Sequence, residues 1–171
     1  APLHRSAQIR NGVVAGEVRQ RVKGMIESVR AYAVPQDTYY VRARGRLKGD
    51  RSVGWLSALL ASTLDIKPVL TARNNRTEVV ARIRGFDAAA ERVIANLRRA
   101  VEWGLDAPYV VLSYAGDLEL MRMLPGYSEL QDLCARQNVT MLESVMSVTG
   151  GIHLGPGTFS AAVLAKQHEF Q

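Results

Sequence analysis

Cysteine is nearly absent from this chain. Cys134 is the single one among 171 residues, so no internal disulfide can form, and a reducing compartment, the cytoplasm, is the expected setting. Aromatic side chains make up 6%, which leaves a stacking platform for single-stranded nucleic acid thinly supplied. Histidine is also scarce. His4 and His168 lie near the two ends and are read as chemically idle, which leaves His153. No apolar run approaches the ~18 residues that span a membrane, and no signal-peptide pattern is read. No His/Cys/Asp cluster has metal-ligand spacing, and no nucleophile elbow is present. The acidic residues fall on helix starts and exposed faces rather than in a pair suited to acid–base work. These absences argue against a self-sufficient enzyme and give no reason to expect a cofactor.

What is present is an ordinary globular balance, with 47% apolar and 22% charged residues, and a length that suits one domain over residues 1–171. The chain opens on Ala1 with residues patterned like a helix interior, which suggests a processed protein or a fragment. Net charge is +6. Much of it is local: Arg42, Arg44, Arg46, Lys48 and Arg51 face only Asp50 in that stretch. One reading is a solvated surface. Another is an anion clamp, in which Gly45 lets the chain bend and aim the Arg46 guanidinium at a carboxylate or phosphate. A third is a nucleic-acid-binding or regulatory protein using the Arg42–Arg51 loop, for which binding would be salt-dependent.

Periodicity divides the chain into alternating helices and strands. Val14, Val18, Val22, Met25 or Ile26, and Val29 recur at helical spacing, which predicts a helix from about Val13 to Arg30. Tyr32–Val34 reads as a short strand closed by Pro35. Asp37 can cap a short helix through about Arg44. Val53–Leu64 reads as a helix whose apolar face includes Trp55, Leu56, Leu59 and Leu60. Ile66–Arg73 is a strand in which Pro68 marks an edge or a bulge. Asn74-Asn75 suits a two-residue turn, and Thr77–Arg84 returns with Val79, Ala81 and Ile83 on one side. Phe86–Trp103 is amphipathic and ends at Gly104. Tyr109–Tyr114, a continuous apolar run, reads as a buried strand. Asp117 caps a helix that Pro125-Gly126 interrupts and that resumes over Ser128–Gln137. Val139–Val145 and Phe159–Leu164 are further strands. The pattern predicts an α/β (α+β mixed) layered domain with a mixed sheet of about five or six strands.

Between the last two strands lies Thr149–Thr158, with four glycines, Pro156 and His153. It is read as a loop. As a functional loop it would offer backbone N–H donors and one imidazole to an anion. As a structural loop it would be a tight connection in which glycine supplies positive φ. It is neither a Walker loop nor a dinucleotide fingerprint, because both spacings are absent. Apolar residues crowd both polar stretches in sequence, and Trp55, Leu56, Leu59, Leu60, Met146 and Phe159 could wall a slot for an acyl chain.

Three segments resemble the DegV family, the bacterial fatty acid-binding proteins. Tyr32–Tyr40 with Gly45-Arg46-Leu47 is similar to the family's strand, D-T-L-x-Y helix and G-G-R-I turn. Leu59-Leu60 through Ile66–Leu70 is similar to its L-L-x-x-L-L-x-I-K-P-I-L. Gly151–Gly157 is similar to its I-G-x-H-x-G-P-G. The match covers nearly the whole chain, as the C-terminal half of a family member, with the N-terminal domain absent. The resemblance implies a long-chain fatty acid held between two α/β domains. It also implies a carboxylate bound by an Arg and a His at the positions of Arg46 and His153, in the setting of Gly151, Gly155 and Gly157. The implied partner is a fatty acid kinase subunit that phosphorylates the bound carboxylate, which makes the family member a carrier. Here the family's double glycine is Arg44-Gly45, and the spacing from Arg46 to Ile66 is longer than in the family, so Arg51 is a rival anchor.

Overall fold

The computed structural model describes residues 15–39, 65–73, 76–165 and 168–171. Within them α1 (Ala15–Ser28) runs straight into β1 (Val29–Val34), and β2 (Ile66–Arg73) and β3 (Arg76–Arg84) form a hairpin. Then come α2 (Phe86–Trp103), β4 (Tyr109–Tyr114), α3 (Leu118–Arg122), α4 (Tyr127–Arg136), β5 (Thr140–Val145), α5 (Val148–Leu154) and β6 (Phe159–Leu164). The six strands make one sheet in the order β3-β2-β1-β6-β4-β5. β4 and β5 are parallel, with α3 and α4 as their crossover. All other neighbours are antiparallel. This is the mixed α/β layered domain that the periodicity predicts.

One face of the sheet carries the core. The predicted stripe of α2, Phe86, Ala90, Val93, Leu97 and Val101, is buried together with Ile94. It packs against Tyr32, Val34, Val69, Leu112, Phe159 and Ala161 in one cluster. Gly104 ends α2 at φ 104°, where its N–H reaches the carbonyls of Ala100 and Val101. α4 joins through Tyr127, Leu130, Leu133 and Cys134. Cys134 is buried, and burial pushes its thiol pKa up, which fits core packing and not reactivity. Asp117 caps α3 through the Glu119 N–H. Glu143 of β5 accepts from Tyr127 Oη and, at 2.6 Å, from Arg122 Nη2, tying α3 and α4 to the sheet.

The structure departs from expectation at several places. α1 stops at Ser28 and β1 begins at Val29, earlier than the Tyr32 read from sequence. Valine fits both periods, and pairing with β6 from Val29↔Leu164 onward wins. Arg30 is buried at the junction, its Nε donating 2.7 Å to the His168 carbonyl. β2 is interior rather than an edge, and it is the bulge reading of Pro68 that fits, with a register shift between Val69 and Leu70. Arg73 faces Arg76, so two residues connect the hairpin, although Asn74-Asn75 themselves lie outside the described residues. His168 is 3% exposed, not loose at an end, and meets the Trp103 ring edge-on at 5.5 Å. Burial pushes its pKa below the usual histidine value, and the Arg99 charge adds to that.

β4 holds the most consequential departure. Its burial alternates, with Val110, Leu112 and Tyr114 inside and Tyr109 and Val111 38% and 39% exposed. A continuous apolar run cannot reveal whether both faces are covered. Among the described residues the second face is covered only by α1, at one end.

Candidate functional site

The glycine stretch is not a loop throughout. Ser147 caps α5, accepting from the Gly150 N–H at 3.2 Å, and the chain turns helical over Val148–Leu154. Gly150 and Gly151 lie inside that helix, since a good N-cap and the hydrogen bonds of about two turns outweigh glycine's weak helix propensity over so short a span. The Gly151 N–H donates to the Ser147 carbonyl and the Gly155 N–H to the Gly151 carbonyl. The Gly157 N–H donates 2.8 Å to the Ala115 carbonyl, just past β4. These donors are therefore engaged inside the protein. What the glycines offer is room and conformation, with Gly155 and Gly157 at φ 92° and 74°. His153 sits half-buried in the last turn of α5.

Register places α5 at one end of the sheet. The C-terminal ends of β1, β4 and β5 and the start of β6 lie level there, through Val34↔Phe159, Tyr114↔Phe159 and Tyr114↔Val145. The segment leaving β1 meets the same end. Gly157 comes so near Gln36 that a Cβ on Gly157 would sit 2.9 Å from the Gln36 Cβ, which explains glycine at that position. Lys67 Nζ bonds the Gln36 carbonyl at 2.7 Å and Asp65 at 2.8 Å. Asp37 accepts from the Tyr39 N–H, as a helix cap would. Both flanks of the stretch between Tyr39 and Asp65 thus sit at the end that carries His153. Arg46, Arg51, Trp55, Leu56, Leu59 and Leu60 belong to that stretch and lie outside the described residues.

Thr158 fixes α5 against β6. It is fully buried, and its Oγ1 lies 3.0 Å from the Leu154 carbonyl and 2.9 Å from that of Gly155. Met146, half-buried, packs over Gly150. Phe159 is a different case. Expected on the acyl wall, it is instead 0% exposed in the core cluster on the opposite face, because the strand begins at Phe159 itself and the alternation turns its ring toward α2.

Sequence reading missed the second face as a surface. Read across β1, β6 and β4, its side chains change in rows. Nearest α5 the row is Ala33, Ser160, Ser113 and Ser144; the next is Ala31, Ala162, Val111 and Leu142. The last pairs Val29 with Leu164, and Tyr109 falls level with them, one step beyond Val110↔Val163. The face passes from small and hydroxylated at the His153 end to large and apolar at the other. There α1 leans over it and encloses a hollow of about 270 Å³ between Met25 and Ile26 on one side and Val111, Leu142 and Ala162 on the other. The available signal was the string of small residues in Phe159–Leu164 and Val29–Val34, which cannot fill a core on both sides.

Among the described residues no group of three His, Cys, Asp or Glu side chains converges as a metal site. None of their helices is long and apolar enough to cross a membrane.

The profile described as "Uncharacterised protein, DegV family" matches residues 3–166. A DegV domain-containing protein of Xanthomonas campestris pv. campestris is 44% identical over 159 residues, 93% of this chain and 51% of the relative. One from Xanthomonas axonopodis pv. citri is 42% identical over 96% of this chain and 53% of its own length. The chain thus spans about half the length of these relatives. Among solved structures, DegV of Bacillus subtilis, titled a fatty acid binding protein, superposes with a TM-score of 0.70 at 23% identity. That match covers 94% of this chain and 54% of the other. A Thermus thermophilus family member, titled for fatty acid binding, gives 0.69 at 20%, over 95% and 55%. At these identities the structures speak for the fold.

Proposed function

The chain belongs to the DegV family, and on that footing we propose that it is the C-terminal, lipid-holding half of a fatty acid carrier. The observation that carries this reading is the graded second face of the sheet. It runs from hydroxyls at the α5 end of the sheet to an apolar hollow under α1, and a molecule with one polar head and a long apolar tail matches that gradient. Solved relatives titled as fatty acid binding proteins support the same ligand class.

In this reading the carboxylate lies at the α5 end. His153 contributes one hydrogen bond, and Arg46 contributes the charged partner, with Arg51 as its rival. Gly151, with open space where a Cβ would stand, lets the head group approach, and Gly155 and Gly157 supply the positive-φ turn that follows α5. Burying an acyl chain is worth ~0.8 kcal/mol per methylene before the costs of association. The tail therefore supplies the affinity, and the head needs pairing mainly because an unpaired buried carboxylate is costly. This reading gives the chain no chemical step of its own. The chain accordingly acts as a carrier, presenting the carboxylate to a separate kinase in the cytoplasm, with a further N-terminal domain closing the site.

The test is mass spectrometry of an organic extract of the full-length protein, together with titration of palmitate and oleate. A co-purified fatty acid is expected. No extracted lipid and no binding of either acid would end this reading. A second reading, nucleic-acid binding through Arg42–Arg51, has the local charge in its favour and predicts salt-dependent binding that vanishes when those arginines are neutralised.

A further inference from the structure

We propose that the hollow between α1 and the sheet receives the methyl end of the acyl chain, and that Met25 and Ile26 make α1 the stop that sets chain length. This deepens the fatty acid reading above and rests on it.

Position comes first. The hollow lies at the end of β1, β4 and β6 opposite His153, because Val29 pairs with Leu164 there while Val34 pairs with Phe159 beside α5. Five residue steps separate those pairs, ~17 Å at the rise of a strand. An extended alkyl chain advances like an extended backbone, three bonds in ~3.6 Å. About fourteen bonds therefore cover the distance from one end to the other. A fatty acid of about sixteen carbons, its carboxylate at α5, would bring its last methylenes into the hollow. One of twelve would reach only its near edge, at Val111 and Ala162.

Chemistry agrees with position. The residues around the hollow are apolar apart from the phenol of Tyr109, and none of them is charged. Ile26, Val29, Tyr109 and Val111 are large apolar side chains left 37% to 53% exposed at this one place. Water over such a surface is unfavourable in proportion to its area, so an apolar occupant is favoured. The rows leading to it supply the path, since Ala33, Ser160 and Ser113, then Ala31 and Ala162, leave a shallow trough along the sheet. The trough ends where side chains enlarge to Val29, Leu164 and Tyr109 and α1 closes over them. Ile26, more than half exposed on a helix face, can change size without disturbing the core on the other side of the sheet.

The experiment is a competition series of saturated fatty acids from ten to twenty carbons, run on the full-length protein, on Ile26→Trp and on Leu142→Phe. Both substitutions shrink the hollow from opposite walls, so a folding defect in one leaves the other informative. The expected result is a preferred length two to four carbons shorter. Binding of the ten-carbon acid should change least, and affinity for eighteen carbons should fall roughly fourfold per displaced methylene. Met25→Ala with Ile26→Ala should move the preference the other way. An unchanged length profile in the filled variants, with His153→Ala weakening every length alike, would overturn the stop and leave the carrier standing. Absence of binding at every length in the unmodified protein would instead remove the carrier reading, and the stop with it.

Discussion

The two faces of the sheet have the same strands and opposite characters. Toward α2 and α4 the strands present Val34, Val110, Leu112 and Phe159, none exposed to solvent. Toward α1 the same strands present Ala31, Ala33, Ser113, Ser160 and Ala162, all half-buried, and Val111, more exposed still. Side chains of that size cannot fill a layer. The contrast separates two tasks. The first face is packed to hold the domain together, as interiors are, and the second, among the described residues, is only partly covered and is where the proposed ligand would lie. Substitutions should therefore divide cleanly by face.

The largest effect is expected on the packed face. Leu97 is fully buried in α2, and Leu97→Ala should cost ~2–5 kcal/mol of unfolding free energy through lost burial and a residual cavity. Urea denaturation measures this. Val111→Ala, on the second face, should cost under ~1 kcal/mol, since its side chain already meets water. Equal losses at the two positions would break the distinction between faces.

Next in size is a change that should spare stability and strike binding. Ala162 lies mid-trough, level with Ala31 and Val111. Ala162→Phe should lower fatty acid affinity tenfold or more, by displacing at least two methylenes at ~0.8 kcal/mol each, while the urea midpoint stays close to that of the unmodified protein. Unaltered palmitate affinity in a folded Ala162→Phe protein would place the ligand elsewhere.

Much of this was legible in the sequence. The stripe of α2, its stop at Gly104, the hairpin and the caps at Asp37 and Asp117 each rest on local chemistry, and local chemistry is what sequence displays. Cys134 as a core residue followed from its leucine neighbours. The faces were harder. Tyr109–Tyr114 reads as continuous apolar chain whether or not a layer covers Val111, and that depends on what packs there from distant sequence. Thr149–Thr158 reads as a loop because glycines are counted more easily than the single Ser147 cap that turns Val148–Leu154 into a helix. For the same reason backbone donors looked available that α5 and the Ala115 contact have taken. Of the two residues expected to hold the head group, His153 is placed and Arg46 lies in the stretch between Tyr39 and Asp65, whose two flanks both reach the His153 end.

A smaller effect tests how α5 is held. Thr158→Val keeps the shape and removes the Oγ1 that bonds the Leu154 and Gly155 carbonyls. A buried hydrogen bond of this kind is worth about 1 kcal/mol, with a further penalty for carbonyls left unsatisfied. The expected loss is 1–2 kcal/mol in urea, with a modest fall in fatty acid affinity as His153 loses its fixed position. A loss of stability with no change in affinity would separate α5's anchoring from head-group binding.

The smallest expected effect lies on the packed face and depends on pH. His168 is buried against Trp103, and burial together with the Arg99 and Arg30 charges holds its pKa below the unfolded value of about 6.5. The unfolded chain therefore binds this proton more readily than the folded one. The stability His168 contributes is complete above about pH 6.5 and is lost as pH falls from there toward its lower folded pKa. Urea midpoints of the unmodified protein should decline between pH 7.5 and 5.5, and His168→Gln should flatten that decline. The difference should be confined to the packed face: fatty acid affinity, which the proposal assigns to the other face, should change with pH in the same way in both proteins. A binding profile that shifted with His168→Gln would mean that the two faces are coupled through the sheet, and the separation of tasks drawn from their side chains would fail.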